Sequence, residues 1–309
     1  METNEKYHQP VMGGEVVEYL VHDPSGIYID GTCGNGGHSR LIIENLSDRG
    51  RIICCDLDPR MLESAKRRNM EVAERIKYLH CGYHQAADHL ESEDRPIAGF
   101  LLDLGISSMQ LQEGYGFAFM TDNPLDMRFD PESDLTAADI VNQYPLQELK
   151  KIFKEYGELS QAGPIAHAIV NARKESRIET TFQLRDILTS FFKKDRLNKG
   201  LAQAAQALRI AVNNELENIK KGLRSLTGLL QSGGRFVVVS YHSLEDRIVK
   251  NYIRTYSRES GLPPDLEEVL ETREFRLQPL FKKALTPTSQ EIENNPRARS
   301  AKLRAAAKV

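Results

Sequence analysis

The stretch Asp30-Gly-Thr-Cys-Gly-Asn-Gly-Gly-His38 places four glycines, 31, 34, 36 and 37, directly after a carboxylate. Glycines let a backbone turn sharply and approach a ligand closely, and a helix that opens after them points N–H donors at that ligand. Asp56 follows 20 residues after Gly36, at the end of the apolar run Arg51–Asp56 (RIICCD). An acid at that place in a nucleotide-binding sheet accepts hydrogen bonds from both ribose hydroxyls. Capping of the next helix is the other reading of Asp56, although Asp58, just before Pro59, is better placed for that work. The same pair of features describes a dinucleotide enzyme. Two details favour S-adenosylmethionine: the turn is G-x-x-G-x-G-G rather than G-x-G-x-x-G, and Asp30 precedes it. A carboxylate there would repel a pyrophosphate yet suit the ammonium of a methionine moiety, directly or through water. Asp30, Gly34, Gly36, Gly37 and Asp56 are therefore candidate cofactor residues.

Two further segments crowd polar groups together: Leu101-Leu-Asp-Leu-Gly-Ile-Ser-Ser108 and Ser240-Tyr-His-Ser-Leu-Glu-Asp246. They supply Asp103, Ser107, Ser108 and His242 as catalytic candidates. Helix capping by Ser107 or Ser243 is the ordinary reading of either segment but is less natural for both, and a lone histidine such as His242 is more often structural than catalytic. The cysteines Cys33, Cys54, Cys55 and Cys81 form no CxxC pair or Cys/His ligand spacing, so they read as buried apolar filler and no metal is expected.

These groups require a scaffold that brings strand ends together. Ile27–Asp30, Arg51–Asp56, Ile76–His80 and Ile97–Leu104 read as strands, with helical spacing over Ser39–Leu46 and Pro59–Arg68. That alternation predicts a parallel, doubly wound α/β sheet. It stops at residues 105–134, a Gly-, Ser-, Asp- and Pro-rich stretch too long for an ordinary connection. Helical patterns follow over Thr136–Gln143, Leu146–Tyr156, Ile165–Arg173, Phe182–Phe192 and Ala202–Leu216, an all-helical block that reads as an insertion. The alternation resumes with a turn at Gly233–Gly234, a fifth strand Arg235–Ser240 and a helix from Leu244 to about Tyr256. A polar excursion over 257–273 and two last strands, Phe275–Phe281 and Ala301–Ala305, complete the expectation. The predicted domains are 1–108 with 215–309, and an insertion over 109–214.

The net charge of −3 excludes a uniformly basic coat but hides a division. Residues 150–199 carry 11 Lys/Arg against 6 Asp/Glu and residues 281–309 carry 7 against 2, leaving −13 elsewhere. Such asymmetry fits localised contact with a polyanion, although charge runs are commonly just solvated faces. The first residues lack an apolar signal region, and no run of some twenty uncharged apolar residues follows. A cytoplasmic protein without membrane contact is expected.

The strings DGTCGNGGHSR, LLDLGISSMQL, GFAF, PLDMRFD, LTAADIVN, QALRIAVNNEL, SYHSLEDRIVK and NPRARSAKLR, in unbroken order from about His8 to Arg304, resemble the successive motifs of the MraW family. That resemblance implies a bacterial methyltransferase acting on the N4 amine of a cytidine in the decoding centre of 16S ribosomal RNA, within the small ribosomal subunit. It also implies a Rossmann-like, mostly parallel seven-stranded domain interrupted by a helical RNA-recognition domain. Carried over by motif, cofactor contacts come from Gly36, Gly37, His38, Asp56, Tyr83, Asp103 and Gln110. The sequence departs from the pattern at Cys33, where Phe is usual, at Gly114-Tyr115-Gly116, where Glu-Arg-Gly is usual, and at 160–164, which lacks the basic residues many members carry.

An exocyclic cytosine amine is a poor nucleophile because its lone pair is delocalised, so an enzyme must align it, accept its N–H bonds and give one proton an exit. Asp103 and nearby carbonyls are the expected acceptors, and Phe117, Phe119 or Tyr241 could stack on the base. Arg128, Arg297, Arg299 and Lys302 are candidate RNA contacts, the last three in a basic tail whose alternative reading is a final strand with solvated cations. Two other functions compete: a nicotinamide-dependent oxidoreductase of the same fold, and a non-catalytic RNA-binding or ribosome assembly factor. Surface patches on the insert could support a homodimer.

Overall fold

The computed structural model describes residues 9–106, 114–257 and 275–309. The chain divides into two compact units, with breaks after Gly105 and after Glu215.

The first unit is built on a seven-stranded sheet of order β3-β2-β1-β4-β5-β7-β6. Its strands are β1 (Ile27–Asp30), β2 (Arg51–Asp56), β3 (Ile76–His80), β4 (Ile97–Asp103), β5 (Leu230–Ser240), β6 (Leu277–Pro279) and β7 (Lys302–Lys308). Strands β1 to β5 pair in parallel, and β7 runs antiparallel to both β5 and β6. The apolar runs are continuous rather than alternating because both faces are covered. Tyr28, Ile52, Cys54, Leu101, Val237 and Val239 pack on one side, against α1 (Gly13–Leu20), α2 (Gly37–Glu44) and α3 (Pro59–Arg68). Ile29, Ile53, Cys55, Phe100, Leu102, Phe236 and Val238 pack on the other side, against α9 (Glu215–Leu229) and α10 (Ser243–Ser257). The chain leaves β1 toward β2 on one side and returns through β4 on the other. This reversal puts a crevice beyond the carboxyl ends of β1 and β4, where ligands of open parallel sheets sit.

Three elements differ from expectation. Gly233 and Gly234 do not precede the fifth strand but lie inside it, where the pairing slips between Ile97↔Leu230 and Gly99↔Arg235 and Gly233 takes φ +78°. Helix α1 and a short helix α11 (Ser289–Asn294) carry too brief a periodic signal to be read from sequence. The last strand begins at Lys302, so the basic tail forms a 3₁₀ turn over Pro296–Ser300 and then an interior strand of the sheet.

The second unit contains α4 (Ala137–Gln143), α5 (Leu146–Glu155), α6 (Ala162–Glu175), α7 (Thr181–Thr189) and α8 (Leu197–Asn213) around one apolar core. The sequence predicts a single helix over 202–216, but Asn214 in the left-handed conformation (φ 49°) closes α8, and α9 starts afresh. Residues 114–134 are not a loose connection. The Leu125 amide donates to the Glu179 carbonyl, and the Asn213 side chain donates to the Met127 carbonyl and accepts from the Phe129 amide. Among the described residues, no helix is long and apolar enough to cross a membrane.

Candidate active site at the switch point of the sheet

The turn after β1 is fixed from three sides. The Gly31 amide donates to the Leu101 carbonyl of β4, and the Cys33 amide donates to the Cys55 carbonyl of β2. Gly36 takes φ +77°, and a side chain there would stand 2.4 Å from Nδ2 of the fully buried Asn69. That same Nδ2 donates to the carbonyls of Gly36 and Ala65, and Arg68 donates to Asn35 Oδ1 at 3.2 Å. The end of α3 therefore clamps the glycine turn. Gly36 has no side chain with which to cap α2, so the first-turn amides of that helix are not taken up by a side-chain cap.

Three carboxylates gather around this turn. Asp56 accepts from the Gly34 amide at 2.7 Å through one oxygen and from the Asp58 amide at 2.9 Å through the other. Burial pushes its carboxyl up to about 6, opposed by those two hydrogen bonds. Each oxygen keeps a second lone pair, so bracing the turn leaves Asp56 able to accept from hydroxyls. Asp58 caps α3 through the Arg60 amide, the role expected of it.

Asp103 ends β4. Its amide donates to Thr32 Oγ1 at 2.6 Å, and its Oδ2 lies 3.6 Å from Nδ1 of His38. The opposite nitrogen of His38 lies 2.9 Å from the Val11 carbonyl. Asp103 Oδ1 is buried with no hydrogen-bond partner among the described residues. Burial raises the Asp103 carboxyl, opposed first by His38 and then by Tyr241 and Gly105, both outside hydrogen-bond geometry.

Asp30 is a correction. Its carboxylate is fully buried, accepting from Ser39 Oγ at 2.6 Å and the Thr32 amide at 3.2 Å. Burial raises its carboxyl, opposed first by His38 and then by those bonds. With no exposed surface it is not positioned to touch a ligand ammonium, and it braces the turn from behind.

Tyr83 follows β3 with its Cβ 2.8 Å from where a side chain on Gly31 would begin, so it stands beside the turn. Its ring also fills the space over Gly222 of α9. Tyr241 lies over Gly105, its ring 2.6 Å from a Cβ built there, which places it next to Asp103. His242 is drawn into the start of α10. Glu245 accepts from the Tyr241 and His242 amides, and the Glu245 amide approaches His242 Nδ1 at 3.4 Å. This reciprocal capping box accounts for Nδ1 of His242, while its Nε2 lies 3.1 Å from Glu245 Oε1.

The chain matches the MraW methylase family over residues 5–309. It belongs to that family. It is 45% identical over 307 residues, 98% of this chain and 99% of the relative, to "Ribosomal RNA small subunit methyltransferase H" of Geobacter sulfurreducens. It is 42% identical to the protein of the same name from Pelobacter propionicus, with 98% of each chain covered. Membership of a methylase family sets aside the nicotinamide oxidoreductase.

The remaining expectations for a MraW methylase divide sharply. Ser107, Ser108 and Gln110 lie outside the described residues. Phe117 and Phe119 do not present rings to a base: they are 6% and 5% exposed in the core of the second unit, Phe117 stacked on Phe129 at 5.5 Å. Arg128 is also spent internally, forked onto Asp126 and donating to the Pro131 and Ser133 carbonyls. Lys302 stands 3.6 Å from Asp246, which Arg304 also grips at 2.6 Å. Arg299 is exposed and Arg297 partly buried. Sequence reasoning passed over Thr32, Ser39 and Asn69, polar residues whose ordinary identities carry no signal until the fold sets them beside the turn.

Proposed function

We propose that this chain transfers a methyl group from S-adenosylmethionine to the N4 amine of a cytidine in the decoding centre of 16S ribosomal RNA, by direct in-line attack of the amine. The observation that carries the proposal is Asp103, at the switch point of the sheet, with one buried carboxylate oxygen lacking a partner among the described residues beside a glycine turn. An orphaned buried acceptor is costly unless something donates to it, and an exocyclic amine has two N–H bonds to give.

The residues present fit the cofactor. Asp30, Asp56 and Asp103 set three carboxyl groups around the turn, a setting that suits a cationic methionine moiety better than a pyrophosphate. S-adenosylmethionine, when bound, supplies an electrophilic methyl group. Gly34, Gly36 and Gly37 would allow close backbone approach, Asp56 would accept from the ribose hydroxyls, and Tyr83 would lie beside the adenine. His38 would hold the charge and position of Asp103. Asp103 would accept an N–H of the target amine, favouring a pyramidal nitrogen whose lone pair is available. Of the aromatic candidates, Tyr241 is beside Asp103, which supports it as the ring that would stack on the base. The names of the curated relatives support small-subunit ribosomal RNA as the acceptor.

Incubation of purified small subunits with labelled S-adenosylmethionine, followed by nucleoside analysis, tests the proposal. Label in N4-methylcytidine is expected. Label in another nucleoside would overturn the N4 assignment, and RNA binding without any transfer would favour the assembly-factor reading.

A further inference from the structure

The turn after β1 spends most of its donors on holding its own shape. The Gly31, Cys33 and Gly36 amides meet carbonyls, the Thr32 and Gly34 amides meet Asp30 and Asp56, and the Ser39 hydroxyl meets Asp30. Both ring nitrogens of His38 are engaged as well, one at the Val11 carbonyl and one facing Asp103. The hydroxyl proton of Thr32 is different. Thr32 Oγ1 accepts from the Asp103 amide at 2.6 Å, and among the described residues the hydroxyl donates to nothing.

A hydroxyl carries one O–H besides its lone pairs, and the Asp103 amide, itself a donor, takes up only a lone pair. The proton must therefore point elsewhere. The side chain is partly buried, and it is pinned. A β-branched residue is stiff at its first torsion, and the bond to Asp103 fixes the oxygen at the junction of β1 and β4. A donor held in place before its ligand arrives loses little freedom on meeting it.

The order of the strands says which part of a ligand comes there. Strand β1 lies between β2, which ends on Asp56, and β4, which ends on Asp103. A cofactor whose ribose meets Asp56 and whose methyl group is presented at Asp103 has its amino-acid end on the side of β1 and β4, where Thr32 stands. That end carries the one anionic group of S-adenosylmethionine, and three carboxyl groups already surround the turn. A fourth carboxylate is disfavoured there unless a donor answers it.

We propose that the Thr32 hydroxyl donates to the carboxylate of the methionine end of S-adenosylmethionine, and so selects the cofactor by its amino-acid terminus. The inference rests on the assignment of the ribose to Asp56 made above.

The test is calorimetric titration of the full-length protein, without RNA, with S-adenosylhomocysteine and with its decarboxylated counterpart, which keeps the adenosine, the sulfur and the amine. In Thr32→Val the affinity for S-adenosylhomocysteine should fall by about ten- to hundredfold, the worth of a hydrogen bond to a charged group, while that for the decarboxylated ligand stays nearly unchanged. Thr32→Ser, which keeps the hydroxyl, should restore the difference. Thr32→Ala should show the same split and replaces the valine variant if that one does not fold. Equal losses for the two ligands would reduce the hydroxyl to a brace for Asp103 and overturn the proposal, as would unchanged binding of both. Asp56→Asn separates the two assignments: if it leaves S-adenosylhomocysteine binding untouched while Thr32→Val still acts only through the carboxylate, the ribose assignment falls and the Thr32 contact stands. No RNA enters the measurement, so its outcome is independent of the methyl acceptor.

Discussion

His38 and Asp103 face each other at the carboxyl edge of the sheet, Nδ1 3.6 Å from Oδ2, while the far ring nitrogen of His38 lies 2.9 Å from the Val11 carbonyl. The imidazole is the first influence opposing the upward push of burial on the Asp103 carboxyl. Removing it in His38→Gln should raise that carboxyl further, so the acidic limb of the pH–rate profile for methyl transfer should move to higher pH. A limb that stays in place would show that His38 does not tune Asp103.

Replacing Asp103 by Ala removes the acceptor itself. Turnover should fall by about 10²- to 10⁴-fold, the usual worth of a positioned proton acceptor. Binding of S-adenosylhomocysteine, measured by calorimetry, should weaken far less. Near-normal turnover with unchanged binding would take Asp103 out of the chemistry.

Asp56 links cofactor affinity to pH. Its carboxyl is raised from 3.8 to about 6, so it is protonated below that value and then loses acceptor capacity toward hydroxyls. Affinity for S-adenosylhomocysteine should fall as pH drops through 6, by up to about tenfold per unit, and Asp56→Asn should flatten the curve. The sign for folding is opposite. A raised carboxyl contributes stability that is fully present below 3.8 and is lost as pH rises through about 6, so the ligand-free protein should grow less stable over that interval at this site. Urea titrations of both proteins at pH 4 and 7 would expose a wrong sign.

Asn69 anchors the turn from behind. In Asn69→Ala the Gly36 carbonyl keeps the Arg40 amide and loses its second donor, which should cost about 0.5–1.5 kcal/mol of stability. Cofactor affinity should fall as the turn loosens. Normal affinity in a destabilised variant would limit Asn69 to a packing role.

Phe117→Ala separates a core residue from a base-stacking one. The loss of a buried ring should cost about 3–5 kcal/mol of unfolding free energy. Should stability hold while RNA affinity drops, the ring would be meeting a base after all.

Some of this was legible in the order of residues alone. The strand runs, the glycine turn, Asp56 at the end of β2 and Asp58 at the cap of α3 depend on local periodicity, backbone freedom and near neighbours, all of which the sequence carries directly. So did the ordered strings that mark the family. Cap chemistry was legible in part: Asp58 caps α3 as expected, but the capping box of His242 and Glu245 competes with catalysis for the same letters.

What a polar or aromatic side chain does was decided only by the tertiary structure, because its partner lies far away along the chain. Asn69 reaches Gly36 across 33 residues, and Arg304 reaches Asp246 across 58. Folding sealed Asp30 against Ser39, turned Phe117 and Phe119 into core, and closed Arg128 onto Asp126. Among the described residues it left Oδ1 of Asp103 without a partner. The sequence determines which groups are available at the strand ends. Burial and long-range pairing determine which of them are spent on holding the fold and which are left to meet a ligand, since a buried polar group must find its partner within the protein or in what it binds.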